Sequence, residues 1–185
     1  EALRAIDSDY VQFVGDAVTY TPSRLEQMAD ALQNSGAQWG FSKVTLDDCE
    51  PHQAQDNAAP MLAELNGLDR LKHRPRMGDL LVERPGLPIT LSNLMFEREL
   101  LIEALHDPLS SPPTILGLSL AAAWLAEPYF LDISTLQLRR RTLDERYSEC
   151  MTDICQAMMR GFVERVISSP SAPNPLVPHF GADGI

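Results

Sequence analysis

The chain has 185 residues, of which 44% are hydrophobic and 22% are charged, a composition typical of a folded globular domain and not of a disordered segment. Acidic residues number 26 and basic residues 15, so the formal net charge at pH 7 is -11. A charge of this sign repels phosphate backbones, and we therefore expect no nucleic-acid partner.

Cysteine use and hydropathy indicate the cellular setting. The three cysteines, Cys49, Cys150 and Cys155, form no CxxC pair, which favours reduced thiols over a disulfide framework or a zinc site. The longest apolar run, at 115–126, is well short of the ~20 residues that span a bilayer, and it predicts a buried helix. We expect a cytoplasmic protein without a transmembrane segment.

The first part of the chain predicts a strand, a helix and a second strand. Residues 10–14 are β-prone and end at a turn signal, Gly15-Asp16. A helix follows, with Thr21 as its N-cap and a stop signal at 34–36. Its predicted apolar stripe contains Leu25, Met28, Ala29 and Leu32. A second strand at 37–46 completes a unit that usually forms a parallel or mixed sheet with the helix packed on one face.

Alternating helices and strands are predicted in the middle of the chain. The expected elements are a short helix at 60–71, a strand at 87–96, helices at 97–106 and 115–126, and a strand at 129–141. We therefore predict an α/β fold with a mixed, mostly parallel sheet flanked by helices. Two charged segments, 47–52 and 70–76, are interpreted as solvated loops, with a metal site and a phosphate site as the respective alternatives.

The end of the chain predicts a long amphipathic helix and an extended tail. A helix at 143–167 has one apolar side, which either packs on the core or forms a dimer seam: Tyr147, Met151, Ile154, Met158, and Phe162 or Val163. Residues 168–185 are rich in Pro and Ser and predict an extended arm. The chain thus divides into a domain at 1–141, a helix at 142–167 and a tail at 168–185.

Three segments resemble a known family. "AIDSDYVQFVGDAVTYTPSRLEQMADAL" resembles the middle of the family 2 inverting nucleotide-sugar glycosyltransferases, which have the GT-A fold. "ITLSNLMFERELLIEAL" resembles their acceptor-side strand and helix, and "AAAWLAEPYFLDISTLQLRRR" resembles their closing helix and strand. The resemblance implies a GT-A-like fold in which the family's first half, which grips the nucleotide base, has no counterpart.

The same resemblance implies an activity and a cofactor. The expected reaction transfers a sugar from a nucleotide-sugar donor to an acceptor of unknown identity, with Mn²⁺ or Mg²⁺ held by a DxD motif at the tip of a strand. Here the motif aligns with "GDAV", so that Gly15 and Ala17 replace its two aspartates and Asp16 is the only carboxylate left to bind the metal–diphosphate.

Further site residues follow from the family alignment. The family's "E-D" pair aligns with 110–116, which contains no carboxylate, and Asp107 is the nearest candidate for the catalytic base. Thr90, Ser92 and Asn93 are expected to line the acceptor side. An arginine of 139–141, represented by Arg139 and Arg140, is expected to neutralise the leaving diphosphate.

A second interpretation belongs to a different functional class. The degenerate "GDAV", the missing base and the amphipathic helix at 143–167 are also what a non-catalytic pseudo-glycosyltransferase would have. Such a protein would act as a binding or assembly module, and a homo-oligomer could form through that helix.

Overall fold

The architecture is α/β, as predicted, with helices on both sides of a five-stranded sheet. The computed structural model describes residues 2–5, 7–15, 18–47, 58–68, 76–84, 87, 89–112, 114–139 and 152–169. The strands are β1 (Tyr10–Gln12), β2 (Val18–Tyr20), β3 (Trp39–Asp47), β4 (Met95–Glu97) and β5 (Tyr129–Arg139). The helices are α1 (Arg24–Ser35), α2 (Ala58–Asn66), α3 (Met77–Glu83), α4 (Arg98–His106), α5 (Ile115–Leu125) and α6 (Asp153–Ser168).

The sheet is mixed, with the strand order β1-β4-β3-β5-β2. Neighbouring strands β3 and β5 are parallel, whereas the pairs β1–β4, β4–β3 and β5–β2 are antiparallel. The prediction of a mixed sheet is therefore confirmed. The expectation of a mostly parallel sheet is wrong for neighbouring strands, because three of the four neighbouring pairs are antiparallel and β4 lies between β1 and β3.

The sheet is curled, so that its two edge strands approach each other. Five strands at a spacing of ~4.8 Å span roughly 19 Å from β1 to β2. The Tyr20 hydroxyl on β2 lies 3.3 Å from the carbonyl oxygen of Phe13, directly after β1. The curl thus brings the end of β1 close to the opposite edge of the sheet.

Two hydrophobic clusters hold the layers together. The smaller cluster packs Met28 and Leu32 of α1 against Met95 and Leu131 of the sheet. The larger cluster joins the sheet to α3, α4, α5 and α6, and in it Trp39 stacks on Phe96 with ring centroids 5.7 Å apart. Because α1 and the other helices contribute to different clusters, the sheet is covered on two faces.

The core interpretation of the C-terminal helix is confirmed for the residues that the structure describes. Met158 and Phe162 of α6 are buried, and the Phe162 ring meets Trp124 edge-on with centroids 6.1 Å apart. Ile154, by contrast, is 50% exposed. Residues 143–151, including Tyr147 and Met151, lie outside the described part, and association through this helix stays a prediction.

Several predicted elements differ from the observed ones. The strand expected at 87–96 is limited to β4, because a 3₁₀ turn at Leu91–Asn93 precedes it. Helix α1 begins at Arg24, and its N-cap is Ser23 and not Thr21, because the Ser23 carbonyl oxygen accepts from the Gln27 N–H at 2.9 Å. Thr21 instead donates its backbone N–H to the carbonyl oxygen of Thr135 on β5. Strand β2 and helix α3 were not predicted. None of the helices in the described residues is both long enough and apolar enough to cross a membrane.

Candidate functional site

The segment that contains β1 and the segment that leads into β4 lie side by side. Strand β1 pairs with β4, and Gln12 at the end of β1 faces Met95 at the start of β4. The Gln12 Nε2 donates to the carbonyl oxygen of Ser92 at 3.4 Å. A Cβ atom at Gly15 would lie only 2.6 Å from the Ser92 Oγ. The chain after β1 therefore touches the chain before β4.

The carbonyl oxygen of Ser92 is the centre of this junction. Besides Gln12, the Tyr20 hydroxyl lies 3.3 Å from it and the Arg24 Nη2 lies 3.4 Å from it. These donors come from β1, β2 and α1, three elements separated from Ser92 by more than 65 positions in sequence. The position of the 90–93 segment is thus fixed by contacts that span the whole first part of the chain.

Arg24 is the residue that sequence analysis missed. Its side chain is 1% exposed, whereas Leu25, which the predicted stripe contained, is 60% exposed. The spacing of four residues from Arg24 to Met28 and to Leu32 is the pattern that could have revealed it, because such residues share one helix face. A charged residue is rarely assigned to an apolar stripe, and for that reason the prediction selected Leu25.

The Arg24 guanidinium connects helix α1 to four other parts of the fold. Its Nη1 donates to the Ser42 Oγ of β3 at 3.0 Å and to the Thr135 Oγ1 of β5. Its Nη2 donates to the carbonyl oxygen of Asn93 at 2.8 Å. The Tyr20 ring lies 5.5 Å from the Cζ atom, which adds a cation–π contact. Arg24 therefore fixes α1, β2, β3, β5 and the segment before β4 relative to one another.

The charge of Arg24 is not balanced by a carboxylate in the described part of the chain. Its hydrogen-bond partners there are hydroxyl, amide and carbonyl oxygens, all neutral, and its Nε is buried without a partner. Burial lowers the pKa of Arg24 to about 10, and the Tyr20 hydroxyl opposes this shift. A buried cation without a counter-ion is unusual in a structural core, so this charge points to a function.

The predicted acceptor residues have different environments. Asn93 is fully buried, and its side-chain amide bonds both the backbone N–H and the carbonyl oxygen of Ser42, at 3.1 and 2.9 Å. This arrangement continues the β3–β4 ladder and gives Asn93 a structural role. Ser92 is half-buried, and Thr90 is buried with an Oγ1 that has no partner among the described residues. Of the three predicted acceptor residues, only Asn93 has a side chain that holds the β3–β4 ladder together.

The structure does not bring Arg139 next to the acceptor segment along the sheet. Arg139 is exposed at the end of β5 opposite Asp47, which is five residues along β3 from Ser42, the residue that the Asn93 side chain bonds. At ~3.3 Å per residue the separation along the strand is roughly 17 Å. The other two residues expected to bind the metal–diphosphate, Asp16 and Arg140, lie outside the described part.

Asp107 has two structural partners. Its Oδ1 accepts from the Leu109 backbone N–H at 2.9 Å, and its Oδ2 accepts from Arg165 Nη1 at 2.6 Å. The Asp107 side chain is 8% exposed. Arg165 also lies over the Trp124 ring, 4.3 Å from the centroid. These contacts connect the end of α4 to α6, and both helices belong to the larger hydrophobic cluster. Arg24, by contrast, lies on α1, which packs with the smaller hydrophobic cluster.

Replacing Asp107 by Asn is expected to destabilise the fold by about 1–2 kcal/mol, because Arg165 loses its counter-ion while the Asn oxygen still caps the following turn. Urea denaturation followed by tryptophan fluorescence measures the change. Glu103→Gln, at an exposed position of α4, is the matched control and should shift stability by no more than about 0.5 kcal/mol. Equal stabilities of the two variants would contradict the structural role.

The described residues contain no group of three or more His, Cys, Asp or Glu side chains placed to hold a metal ion. The predicted Mn²⁺ or Mg²⁺ ligand, Asp16, is not among them. Comparison with models of known protein families finds no match, and a search of curated proteins finds no relative either.

Proposed function

We propose that the chain is a glycosyltransferase-like protein of the GT-A type, similar to the family 2 enzymes, that binds a nucleotide-sugar donor. The observation that carries the proposal is the direct pairing of β1 with β4. The two blocks that resemble the donor and acceptor parts of the family are far apart in sequence, yet Gln12, Gly15 and Ser92 are in contact. A sugar moving between donor and acceptor needs these two parts to be adjacent.

In this proposal Asp16 would help to hold a divalent cation and the donor diphosphate. The cation would neutralise charge that develops on the leaving diphosphate. Ser92 and Thr90 would face the acceptor, and Asn93 would keep their segment in place. Arg139 would interact only with a part of the donor that extends along the β3–β5 pair, away from the 90–93 segment. In this proposal Asp107 holds α4 against α6 and does not transfer a proton.

The alternative proposal, a non-catalytic binding or assembly module, is favoured by two observations. A Cβ atom at position 15 would lie 2.6 Å from the Ser92 Oγ, so an aspartate of a DxD motif at this position would require the Ser92 side chain to change its rotamer. The nearest candidate base, Asp107, is engaged with Arg165. Both features are compatible with a protein that keeps a ligand-binding site on this fold but no longer catalyses a reaction.

Calorimetric titration with UDP and GDP, with and without manganese, tests the donor site. We expect manganese-dependent binding that Asp16→Ala weakens by at least about ten-fold, since the ion loses its carboxylate ligand. Asp30→Ala, at an exposed position of α1, is the matched control and should bind as the unmodified protein does. Manganese-dependent binding that is unchanged in Asp16→Ala would refute the metal assignment. No binding of either nucleotide would leave the non-catalytic module as the better proposal.

A further inference from the structure

A groove runs along α6, between this helix and the segment 108–112 that follows α4. Its volume is about 510 Å³, and its lining on α6 extends from Ile154 to Arg165. All of its lining residues other than Ser111 and Arg165 are apolar. At one end the Ile154 side chain is 50% exposed. Clefts of this size and composition are typical binding sites, so the groove suits an apolar occupant.

The centre of the groove is open because α6 has small residues there. Ala157 is exposed, and the atom nearest to a Cβ at Gly161 would be the Leu109 Cδ2, 3.8 Å away. At the far end the Arg165 guanidinium already donates to the Asp107 carboxylate, so its charge is balanced within the fold. The groove thus presents apolar surface and no unbalanced charge, which favours an occupant without charged side chains.

The tail that follows α6 has the composition of such an occupant. The described part of the chain ends at Ser169, directly after α6. Residues 175–180, "PLVPHF", contain no Asp, Glu, Lys or Arg and carry three large apolar side chains, those of Leu176, Val177 and Phe180. The two prolines fix φ within this segment, so less conformational entropy is lost when it binds.

The length of the tail also matches the groove. Helix α6 rises roughly 17 Å between the two ends of the groove, Arg165 and Ile154, and roughly 6 Å more to Ser169. An extended, proline-rich chain advances ~3.1 Å per residue. A reversal of direction over 169–172 would therefore place 175–180 alongside 154–165. The six residues would cover the groove from end to end.

We propose that residues 175–180 bind in the groove along α6 of the same chain. The burial of Ile154 and of the apolar side chains of the segment supplies the driving force. While it is bound, the tail covers the exposed apolar side of α6 and so opposes the predicted association of two chains through this helix. The proposal does not depend on the glycosyltransferase-like function, because it involves none of the donor or acceptor residues.

Limited proteolysis by chymotrypsin, with intact-mass detection of the loss of residues 181–185, tests this proposal on the full chain. We expect cleavage after Phe180 to be at least about five-fold slower than in a synthetic peptide of residues 168–185, since only the released tail is cut. Ala157→Glu, which places a charge in the groove, should raise the rate to that of the peptide. Gln156→Glu, at the neighbouring exposed position outside the groove, is the matched control and should leave the rate unchanged.

A tail variant keeps the test valid if Ala157→Glu fails to fold. Leu176→Ser should also bring cleavage after Phe180 to the rate of a peptide with the same substitution. Cleavage of the unmodified chain as fast as the peptide would overturn the proposal. Slow cleavage that neither variant accelerates would overturn it too, because the tail would then be protected at another place. Protection that is lost on dilution would assign the groove to the tail of a second chain and contradict binding within one chain.

Discussion

Arg24→Ala is expected to lower the free energy of unfolding by about 2–3 kcal/mol. The change leaves a cavity under α1 and removes the donor that the buried carbonyl oxygen of Asn93 accepts from at 2.8 Å. Part of this loss is offset, because burial of the Arg24 charge itself opposes folding: a pKa lowered from 12.5 to about 10 corresponds to about 3 kcal/mol at neutral pH. The measurement is urea denaturation followed by circular dichroism.

Comparison with Arg24→Met and Arg160→Ala separates the contributions to this loss. Methionine fills most of the space without the charge, so Arg24→Met should be more stable than Arg24→Ala. Arg160 is exposed on α6, and its replacement by Ala should change stability by no more than about 0.5 kcal/mol. If Arg24→Ala were as stable as the unmodified protein, the network around Asn93 would not be what positions the 90–93 segment.

Gly117→Ala is expected to destabilise the protein by about 1–3 kcal/mol, although alanine is normally the better helix residue. A Cβ atom at Gly117 in α5 would lie 2.4 Å from the carbonyl oxygen of Leu109 and 3.1 Å from the Met158 Sδ. The Leu109 oxygen belongs to the backbone, so it cannot move aside as the end of a flexible side chain can. Thermal denaturation of the variant measures the effect.

Gly161→Ala provides a matched control of the opposite sign. Gly161 is inside helix α6, and the nearest atom to a Cβ at this position is the Leu109 Cδ2 at 3.8 Å, an ordinary contact. The substitution should therefore stabilise the protein by about 0.5–1 kcal/mol through helix propensity. A stabilising effect at both positions would show that α5 and the Pro108–Ser110 turn are less closely packed than the structure indicates.

Elements with a strong local pattern were predictable from the sequence. The apolar run gave α5, the 3.6-residue period gave α4, and the "NSG" stop placed the end of α1, where Gly36 adopts a left-handed conformation with φ of 71°. Strand β2 has three residues and pairs at a distant edge, and no local pattern distinguishes so short a strand. The order of β4 between β1 and β3 depends on contacts between distant segments, which periodicity does not record.

The candidate site was predictable only in part, for a similar reason. Residue type alone shows that Thr90, Ser92 and Asn93 can form hydrogen bonds. That the Asn93 amide bonds the backbone of β3 depends on the register of β3 with β4. Arg24 meets Ser42, Thr135 and Asn93 only after the strands have paired, because these residues are far apart in sequence. Asp107 could be named as a carboxylate in the right stretch, whereas its pairing with Arg165 of α6 required the fold.

The most direct test of a donor site beside β1 is the calorimetric titration of the unmodified chain and Asp16→Ala with UDP in the presence and absence of manganese. The proposed function predicts heat that appears only with manganese and is strongly reduced in Asp16→Ala, while Asp30→Ala behaves as the unmodified chain does. The absence of heat at saturating UDP, together with no rise in the thermal midpoint, would contradict it. The fold would then be assigned as a binding or assembly module.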